Sequence, residues 1–236
     1  MKAMILAAGF GKRLRPLTEH TPKPLLEVRG KPLIVYHLEA LAALGIRDVV
    51  INSAWLGEKL EAHLADGSQY GVRIAWSREA EPLETGGGIC QALPLLGTEP
   101  FVLINGDVWT DYPLGELASQ RLVNNSLAHL VLVPNPEHHL AGDYCFSESA
   151  DGTQEIVRGT LAGPMVEGSA AGRQSYTFSG ISLLDPQLFA GAVRGQAFPL
   201  RDVFAPAFGA GRISAELYRG DWCDVGTLAR LQALNH

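Results

Sequence analysis

Two glycines and a run of basic residues directly follow the first apolar segment of the chain. Gly9-Phe10-Gly11-Lys12-Arg13 comes after residues 4–8, which have the pattern of a short buried strand. Such a turn exposes backbone N–H groups, and with nearby cations it can cradle a polyphosphate. The spacing fits neither a dinucleotide fingerprint nor a P-loop, because Leu14 and Arg13 stand where those motifs need a small residue and a Ser or Thr. The pattern indicates a phosphate-binding turn, but a plain glycine turn would fit it equally well.

Lys23 stands between two prolines, in Thr21-Pro22-Lys23-Pro24-Leu25. The prolines restrict the backbone on both sides and hold the lysine in an extended geometry. An ammonium group presented rigidly can stabilise a phosphate whose charge changes during a reaction. Taken alone, the motif also fits a solvated lysine in a loop.

A third glycine-rich segment is Glu81-Pro82-Leu83-Glu84-Thr85-Gly86-Gly87-Gly88. Three glycines at the start of a helix would let a flat ring lie against the backbone, where N–H and C=O groups can read its edge. The simpler interpretation is a flexible helix start with Thr85 as the N-cap. The Glu81 carboxylate can only accept hydrogen bonds, so it suits the N3–H of uracil as well as the N1–H and amino group of guanine.

Two aspartates in distant segments could hold a metal ion. Asp107 follows the apolar run Phe101–Asn105 directly, and Asp224 lies in Trp222-Cys223-Asp224-Val225-Gly226-Thr227. A carboxylate at the carboxyl end of a buried strand suits Mg²⁺, and Asp224 is the natural second ligand. Turn initiation at Asp107 and a helix N-terminal charge at Asp224 are the alternatives.

The segment 135–143 contains His138, His139 and Asp143. Adjacent residues of a strand point to opposite faces, so a zinc site is not expected here. These side chains could instead contact a hydrophilic substrate.

The elements that would position these residues alternate between strands and helices. We expect strands at 4–8, 48–52, 72–77, 101–105, 129–133, 175–184 and 213–218, and helices at 31–44, 58–65, 86–95, 186–192, 200–208 and from 227. Continuously apolar strands between amphipathic helices predict a mostly parallel α/β sheet with helices on both faces. Residues 134–174 are expected to form a hairpin and a mobile loop. Ligands of such sheets bind outside the carboxyl ends of the strands.

Composition narrows the class of ligand. The 236 residues are 47% hydrophobic and 19% charged with a net charge of −6, which predicts a globular protein that does not bind nucleic acid. Residues 12–31 nevertheless carry a net charge of +4, which favours a small anionic ligand.

No apolar run approaches the length of a membrane helix, the start does not resemble a signal peptide, and three scattered cysteines suggest reduced thiols. We therefore expect a cytoplasmic protein that does not engage a membrane.

Taken together and in this order, the motifs resemble the sugar-1-phosphate nucleotidyltransferases over nearly the whole chain. The resemblance rests on Leu6-Ala7-Ala8-Gly9-Phe10-Gly11-Lys12-Arg13-Leu14-Arg15-Pro16-Leu17-Thr18, Pro22-Lys23-Pro24, Thr85-Gly86-Gly87, Gly106-Asp107 and Asp224-Val225-Gly226-Thr227. It implies a Rossmann-like nucleotidyltransferase fold, Mg²⁺, a nucleoside triphosphate and a sugar 1-phosphate. It also implies a single domain over residues 1–236, with 1–126 mainly for the nucleotide and a smaller, irregular sugar-binding part in 127–236.

The same resemblance implies roles for individual residues. Arg13, Lys23 and Asp107 would be catalytic, and Asp107 and Asp224 would hold the metal. The nucleotide-binding residues would be Leu6, Ala7, Ala8, Gly9, Gly11, Arg13, Glu81, Thr85, Gly86 and Gly87. The sugar-binding residues would be Asn105, Asp143 and Gly180.

Longer matches point to one branch of the family. The stretches 105–111, 135–143 and 178–181 are similar to the branch that uses UTP and N-acetylmuramate 1-phosphate in peptidoglycan recycling. Its acceptor carries a lactyl carboxylate, for which Arg158 and Arg173 are candidate partners. The chain departs from the wider family because 151–175 lacks a Glu-Lys-Pro sugar motif.

Two other functions stay open. One is a guanylyl- or thymidylyltransferase for a hexose or heptose 1-phosphate, and the other is a catalytically silent sensor of sugar nucleotides. The presence of Arg13, Lys23, Asp107 and Asp224 together counts against the sensor.

Overall fold

The computed structural model describes residues 1–122, 125–152, 155–165 and 174–236. The strands of the described residues are β1 Ala3–Leu6, β2 Glu27–Val28, β3 Lys31–Pro32, β4 Asp48–Ser53, β5 Arg73–Arg78, β6 Phe101–Asn105, β7 Val108–Thr110, β8 Ala128–Val133, β9 Tyr144–Gly152, β10 Ile156–Pro164, β11 Ser175–Leu184, β12 Ile213–Tyr218 and β13 Trp222–Asp224. The α-helices are α1 Leu33–Ala43, α2 Gly57–Leu64, α3 Glu84–Leu96, α4 Leu114–Ser119, α5 Arg201–Gly209 and α6 Leu228–Asn235. None of the helices in these ranges is long and apolar enough to cross a lipid bilayer.

Nine strands form one sheet in the order β5-β4-β1-β6-β11-β8-β12-β10-β9. The parallel and antiparallel pairings show that seven of these strands run in one direction and that β10 and β11 run in the other. β11 lies between β6 and β8, so the sheet continues from the first half of the chain into the second. The expected α/β fold with a mostly parallel sheet is confirmed.

Helices cover both faces of the sheet, because alternate residues of each buried strand point to opposite sides. Ala3 and Ile5 of β1 pack into an apolar cluster with α1, α2 and α4, whereas Met4 packs into a second cluster with α3 and α5. A third, smaller cluster joins α6 to Leu14 and Leu26. This last contact brings the C-terminal helix against the loop that contains Arg13 and Lys23.

Most predicted elements are present, but the first predicted helix begins later than expected and another is only a single turn. Lys31 and Pro32 form the short strand β3, paired with β2, because the residue before a proline avoids the helical conformation. The helix expected over 186–192 is a single 3₁₀ turn, Pro186–Phe189, and Gly191 follows at φ +92°. The hairpin expected within 134–174 is formed by β9 and β10. The loop expected there includes residues 166–173, which lie outside the described residues.

Candidate active site

A cavity of about 390 Å³ opens where the parallel strands β1, β4 and β6 end. This edge is where open α/β sheets bind ligands. The predicted residues that line the cavity are Leu6, Ala7, Ala8, Gly9, Gly11, Lys23, Thr85, Asn105 and Asp107. The lining also includes Phe10, Pro24, Asn52, Glu79, Pro82 and Glu84. Arg13, Glu81, Gly86, Gly87, Asp143, Gly180 and Asp224 are not among the lining residues.

The glycine turn after β1 folds back on itself. Gly11 has φ +61°, and a Cβ there would lie 2.8 Å from Cγ2 of Thr18. The Thr18 hydroxyl donates to the Gly11 carbonyl at 2.8 Å. Gly11 is therefore needed both for its backbone conformation and for this close approach. The turn passes the cavity, and the chain then carries Arg13 towards Gly226, whose Cβ position would lie 3.0 Å from Nη2 of Arg13.

Lys23 and Asp107 form an ion pair at the floor of the cavity. The Lys23 Nζ lies 2.5 Å from Oδ2 of Asp107. The Lys23 side chain is 11% exposed and that of Asp107 is 37% exposed, so the carboxylate remains accessible from the cavity. An ammonium and a carboxylate in this arrangement can respectively contact a phosphate and a cation that bridges to it.

The second aspartate lies next to the first. β7 and β13 pair so that Asp224 is opposite Val108, and the Val225 N–H donates to the Asp107 carbonyl at 2.8 Å. The described residues contain no group of three or more His, Cys, Asp or Glu side chains that could hold a metal. A pair of carboxylates suits Mg²⁺, which usually takes one or two carboxylates and completes its shell with water and phosphate oxygens.

A buried histidine, His37, is hydrogen-bonded to the residue that follows Asp107. The Nε2–H of His37 in α1 donates to the Val108 carbonyl at 2.8 Å, because a carbonyl oxygen can only accept. Burial lowers the pKa of His37 to about 4, opposed by the Val108 carbonyl and the charge of Asp107. The imidazole is therefore neutral near pH 7 and fixes the strand that follows Asp107.

The two adjacent histidines contact different carboxylates, as expected for residues that do not face the same way. The Nε2 of His138 lies 3.0 Å from Oδ1 of Asp224, and the Nε2 of His139 lies 3.0 Å from Oδ1 of Asp143. Arg230 of α6 also donates to Oδ1 of Asp224. The segment 135–143 therefore contacts the Asp224 carboxylate through His138 and its own Asp143 through His139.

The glycine segment is arranged differently from the expectation. The Gly86 and Gly87 N–H groups both donate to the Phe198 carbonyl, at 2.9 and 3.1 Å, so they are not free to read the edge of a base. A Cβ at either glycine would overlap atoms of residues 196–198. Thr85 is not the N-cap either: the helix begins at Glu84, and the Thr85 hydroxyl accepts from the Leu200 N–H at 2.9 Å. These residues pack α3 against a neighbouring segment.

Glu79 lines the cavity and Glu81 does not; Glu84 and Asp107 are the other acidic residues of the lining. Glu81 is exposed, whereas Glu79 is buried and lines the cavity. Glu79 accepts from the Asn52 amide through Oε1 at 2.7 Å and from the Leu83 N–H through Oε2 at 2.9 Å. Asn52 in turn accepts from the Ala7 N–H at 2.7 Å. This chain of hydrogen bonds fixes the glycine turn and the Glu79 carboxylate relative to each other.

Of the three residues predicted for the sugar, Asn105 lies on β6, Gly180 lies on β11, and Asp143 directly precedes β9. Gly180, at φ +82°, approaches Asn105 so closely that a Cβ would lie 2.5 Å from its Nδ2. The Asp143 Oδ2 accepts from the Phe178 N–H at 2.8 Å, two residues before Gly180. The structure therefore brings Asn105, Gly180 and Asp143 to one region beside the cavity.

Two buried polar residues of the cavity, Asn52 and Glu79, were missed from the sequence, although signals for both were present. Asn52 ends the buried run of β4, and Glu79 follows β5 directly. The rule that ligands bind at the carboxyl ends of strands applies to both positions as it does to Asp107.

Comparisons with known proteins identify the family of the chain. The family model described as Nucleotidyl transferase matches residues 2–236. The chain is 45% identical over 235 residues to an N-acetylmuramate alpha-1-phosphate uridylyltransferase from Neisseria meningitidis, covering 98% of this chain and 96% of the relative. It is 31% identical over 230 residues to the mannose-1-phosphate guanylyltransferase catalytic subunit beta of Danio rerio, of which it spans 61%. The fold matches a Bacillus anthracis structure, described as a glucose-1-phosphate thymidylyltransferase in complex with a sucrose, with a TM-score of 0.82 at 21% identity, covering 100% of this chain and 94% of that one.

Proposed function

Because the chain belongs to the nucleotidyl transferase family, we propose that it transfers a uridylyl group from UTP to N-acetylmuramate 1-phosphate, releasing pyrophosphate. N-acetylmuramate is a sugar of peptidoglycan, so the reaction would return a cell-wall sugar to its nucleotide-activated form. The three cysteines are free thiols, which fits a cytoplasmic enzyme.

The proposal rests on how much of the chain matches one relative, the Neisseria uridylyltransferase. Identity to the Neisseria uridylyltransferase is 45% and extends over 98% of the chain, so it includes the region around Asn105, Asp143 and Gly180. Identity to the Danio rerio guanylyltransferase subunit is 31% over a similar length, and that relative extends well beyond this chain. The comparison therefore favours the uridylyl acceptor reaction over its guanylyl counterpart.

We assign recognition of the base to Glu79. A carboxylate has about four acceptor positions, and the hydrogen bonds from Asn52 and Leu83 use two of them. The remaining lone pairs at the cavity suit the N3–H of uracil. Phe10, Pro82 and the backbone of residues 6–9 line the same cavity and would contact the flat faces of the nucleotide.

Asp107 and Asp224 are the proposed ligands of a divalent cation, for which we favour Mg²⁺. Their backbones are joined through β7 and β13, and both side chains are oxygen donors of the kind that Mg²⁺ prefers. When bound, the ion would reduce the charge on the phosphates. Lys23 would place its ammonium beside the phosphates that react, and the turn at Gly9 and Gly11 would hold the triphosphate, with Arg13 at its far end.

This set of residues needs no general base. A sugar phosphate has a second pKa of about 6, so it is already mostly dianionic near neutral pH and can attack the α-phosphorus directly. Catalysis then consists of aligning two anions in line and stabilising charge, which Lys23 and backbone N–H groups can do. We place the acceptor beside Asn105, Gly180 and Asp143, because this region adjoins both the cavity and the paired aspartates.

A guanylyltransferase is the second candidate, because the Glu79 carboxylate would also accept from the N1–H and amino group of guanine. The two are separated by measuring pyrophosphate release with each of UTP, GTP, dTTP and ATP against N-acetylmuramate, N-acetylglucosamine and mannose 1-phosphates. We expect the highest kcat/KM with UTP and N-acetylmuramate 1-phosphate. A preference for GTP would assign the protein to the second candidate, and the absence of turnover with every pair would favour a sensor of sugar nucleotides.

A further inference from the structure

Two basic side chains, Arg230 and His138, contact the carboxylate of Asp224, and a third, Arg13, lies nearby. Arg230 donates to Oδ1 through Nη1, and the Nε2 of His138 lies 3.0 Å from the same oxygen. Arg13 lies close by, because its Nη2 and the Oδ2 of Asp224 are 3.0 and 3.1 Å from the position that a Cβ of Gly226 would take. The group joins the glycine turn, the 135–143 segment and the start of α6.

The charges of this group do not balance. Two guanidinium groups stay protonated at any relevant pH, whereas Asp224 supplies a single negative charge. If Asp224 turns to a metal ion, as proposed, Arg230 loses its carboxylate partner. A partly buried cation without a counter-ion favours an anionic ligand. The Arg230 side chain is 18% exposed, which leaves it accessible to one.

The backbone around Arg230 is built to hold its guanidinium in place. Thr227 caps α6 by accepting from the Arg230 N–H at 3.4 Å, and its hydroxyl also accepts from Nε of Arg230 at 3.3 Å. A side chain at Gly226 would overlap Nη2 of Arg230. The glycine therefore leaves the space that the guanidinium uses, and the cap fixes its direction.

Contacts place Arg230 on the acceptor side of the site. Arg230 contacts His138, and the next residue, His139, contacts the Asp143 carboxylate. That carboxylate accepts a hydrogen bond from the backbone of β11 near Gly180. Arg13 instead follows the glycine turn of the triphosphate. Of the two other arginines suggested from the sequence, Arg158 lies on β10 opposite Glu216, and Arg173 lies outside the described residues.

We propose that Arg230, supported by His138, binds the carboxylate of the lactyl group of the acceptor, and that this contact selects N-acetylmuramate 1-phosphate over N-acetylglucosamine 1-phosphate. The proposal rests on the proposed function. The planar fork of an arginine matches a carboxylate with two parallel hydrogen bonds, and the two sugars differ by the lactyl group alone.

The test compares both acceptors in Arg230→Met, Arg230→Lys and the control Arg158→Met, using UTP-dependent pyrophosphate release. Arg230→Met keeps the apolar stem, and we expect it to lower the ratio of kcat/KM for the two sugars by about 10- to 100-fold, mainly through KM of the muramate. Arg230→Lys should give an intermediate ratio, because an ammonium lacks the fork. Arg158→Met should leave the ratio unchanged.

The ratio separates substrate recognition from support of Asp224, because both acceptors depend on Asp224 equally. An equal loss with both sugars would overturn the proposal and make Arg230 a positioning residue for Asp224. A rise in KM for UTP alone would assign the cluster to the triphosphate and would also overturn it. A collapse of the ratio in Arg158→Met instead would move the contact to β10.

A binding experiment keeps this test independent of turnover. Each sugar phosphate is titrated calorimetrically into the wild-type protein and Arg230→Met, with a non-reactive UTP analogue present. Tighter binding of the muramate that is lost in Arg230→Met supports the proposal even if another base proves to be the substrate. If the wild-type protein turns over neither sugar, the proposed function fails, and if it also binds both equally, the role of Arg230 fails with it.

Discussion

Replacing His37 by glutamine should remove a pH dependence of stability that originates behind the candidate metal site. His37 is 4% exposed and donates through Nε2 to the Val108 carbonyl at 2.8 Å. A glutamine amide can keep this donor but cannot be protonated near neutral pH. The substitution therefore separates the titration of the side chain from the hydrogen bond that it makes.

The magnitude follows from the shift of the pKa. Burial lowers the pKa of His37 from 6.5 to about 4, so between these values the unfolded chain binds a proton that the folded protein does not. Stability from this group is fully present above pH 6.5 and is lost as the pH falls towards 4. Linkage converts the shift to a loss of about 2 kcal/mol between pH 7 and 5, and of about 3 kcal/mol by pH 4.

The assay is the free energy of unfolding from urea titrations of wild type and His37→Gln at several pH values from 7 to 4. From pH 7 to 5 the wild type should lose about 2 kcal/mol more than His37→Gln, or roughly 4–8 °C in Tm. His63→Gln makes the same replacement at an exposed position of α2 and should follow the wild type. Parallel curves for wild type and His37→Gln would show that the imidazole is not buried in its neutral form.

Three further substitutions test the site and its support. Asp107→Asn keeps the size of the side chain but removes its charge, so turnover should fall by about 100-fold or more while circular dichroism stays unchanged; near-normal Mg²⁺-dependent turnover would contradict the two-carboxylate site. Lys23→Ala should lower kcat by about 100- to 1,000-fold with a smaller change in KM for the triphosphate. If only KM changed, the lysine would serve binding alone. Tyr112→Phe removes a hydrogen bond to Glu216, which is 1% exposed, and should lower the free energy of unfolding by about 1.5–3 kcal/mol. The control Tyr218→Phe removes a hydrogen bond to an exposed aspartate and should cost about 1 kcal/mol or less, so equal losses in urea titrations would refute burial as the cause.

Local pattern was enough to predict the buried strands of the sheet. The run that forms β6 is apolar up to its last residue, and the run that forms β11 is rich in aromatic, aliphatic and β-branched residues; both were predicted with the bounds that the structure has. The carboxyl end of β6 could also be identified, which is why Asn105 and Asp107 were singled out before the structure. Some errors lie where one residue redirects the chain, as Pro32 does before α1 and Gly191 does after the turn at Pro186–Phe189. The short elements β2, β7, β13 and α4 were not predicted.

The direction of side chains in loops could not be predicted in the same way. Glu79 and Glu81 are two residues apart in a segment without periodicity, and only the hydrogen bonds to Asn52 and Leu83 show that the first lines the cavity. The N–H groups of Gly86 and Gly87 looked free because their acceptor, Phe198, is distant in the sequence. A rule that considers only neighbouring residues cannot predict a contact between segments so far apart in the chain.

The sequence by itself determined the α/β class, the edge of the sheet at which a ligand binds, and the residue types available there, because these depend on hydrophobic periodicity and on short motifs. The tertiary structure decided which of those residues meet. The pairing of β7 with β13 brings Asp224 beside Asp107, and the packing of α6 against the loop after β1 brings Arg230 to the Asp224 carboxylate with Arg13 nearby. Such contacts join segments far apart in the chain, so they depend on strand order and helix packing, which no stretch of the sequence encodes alone.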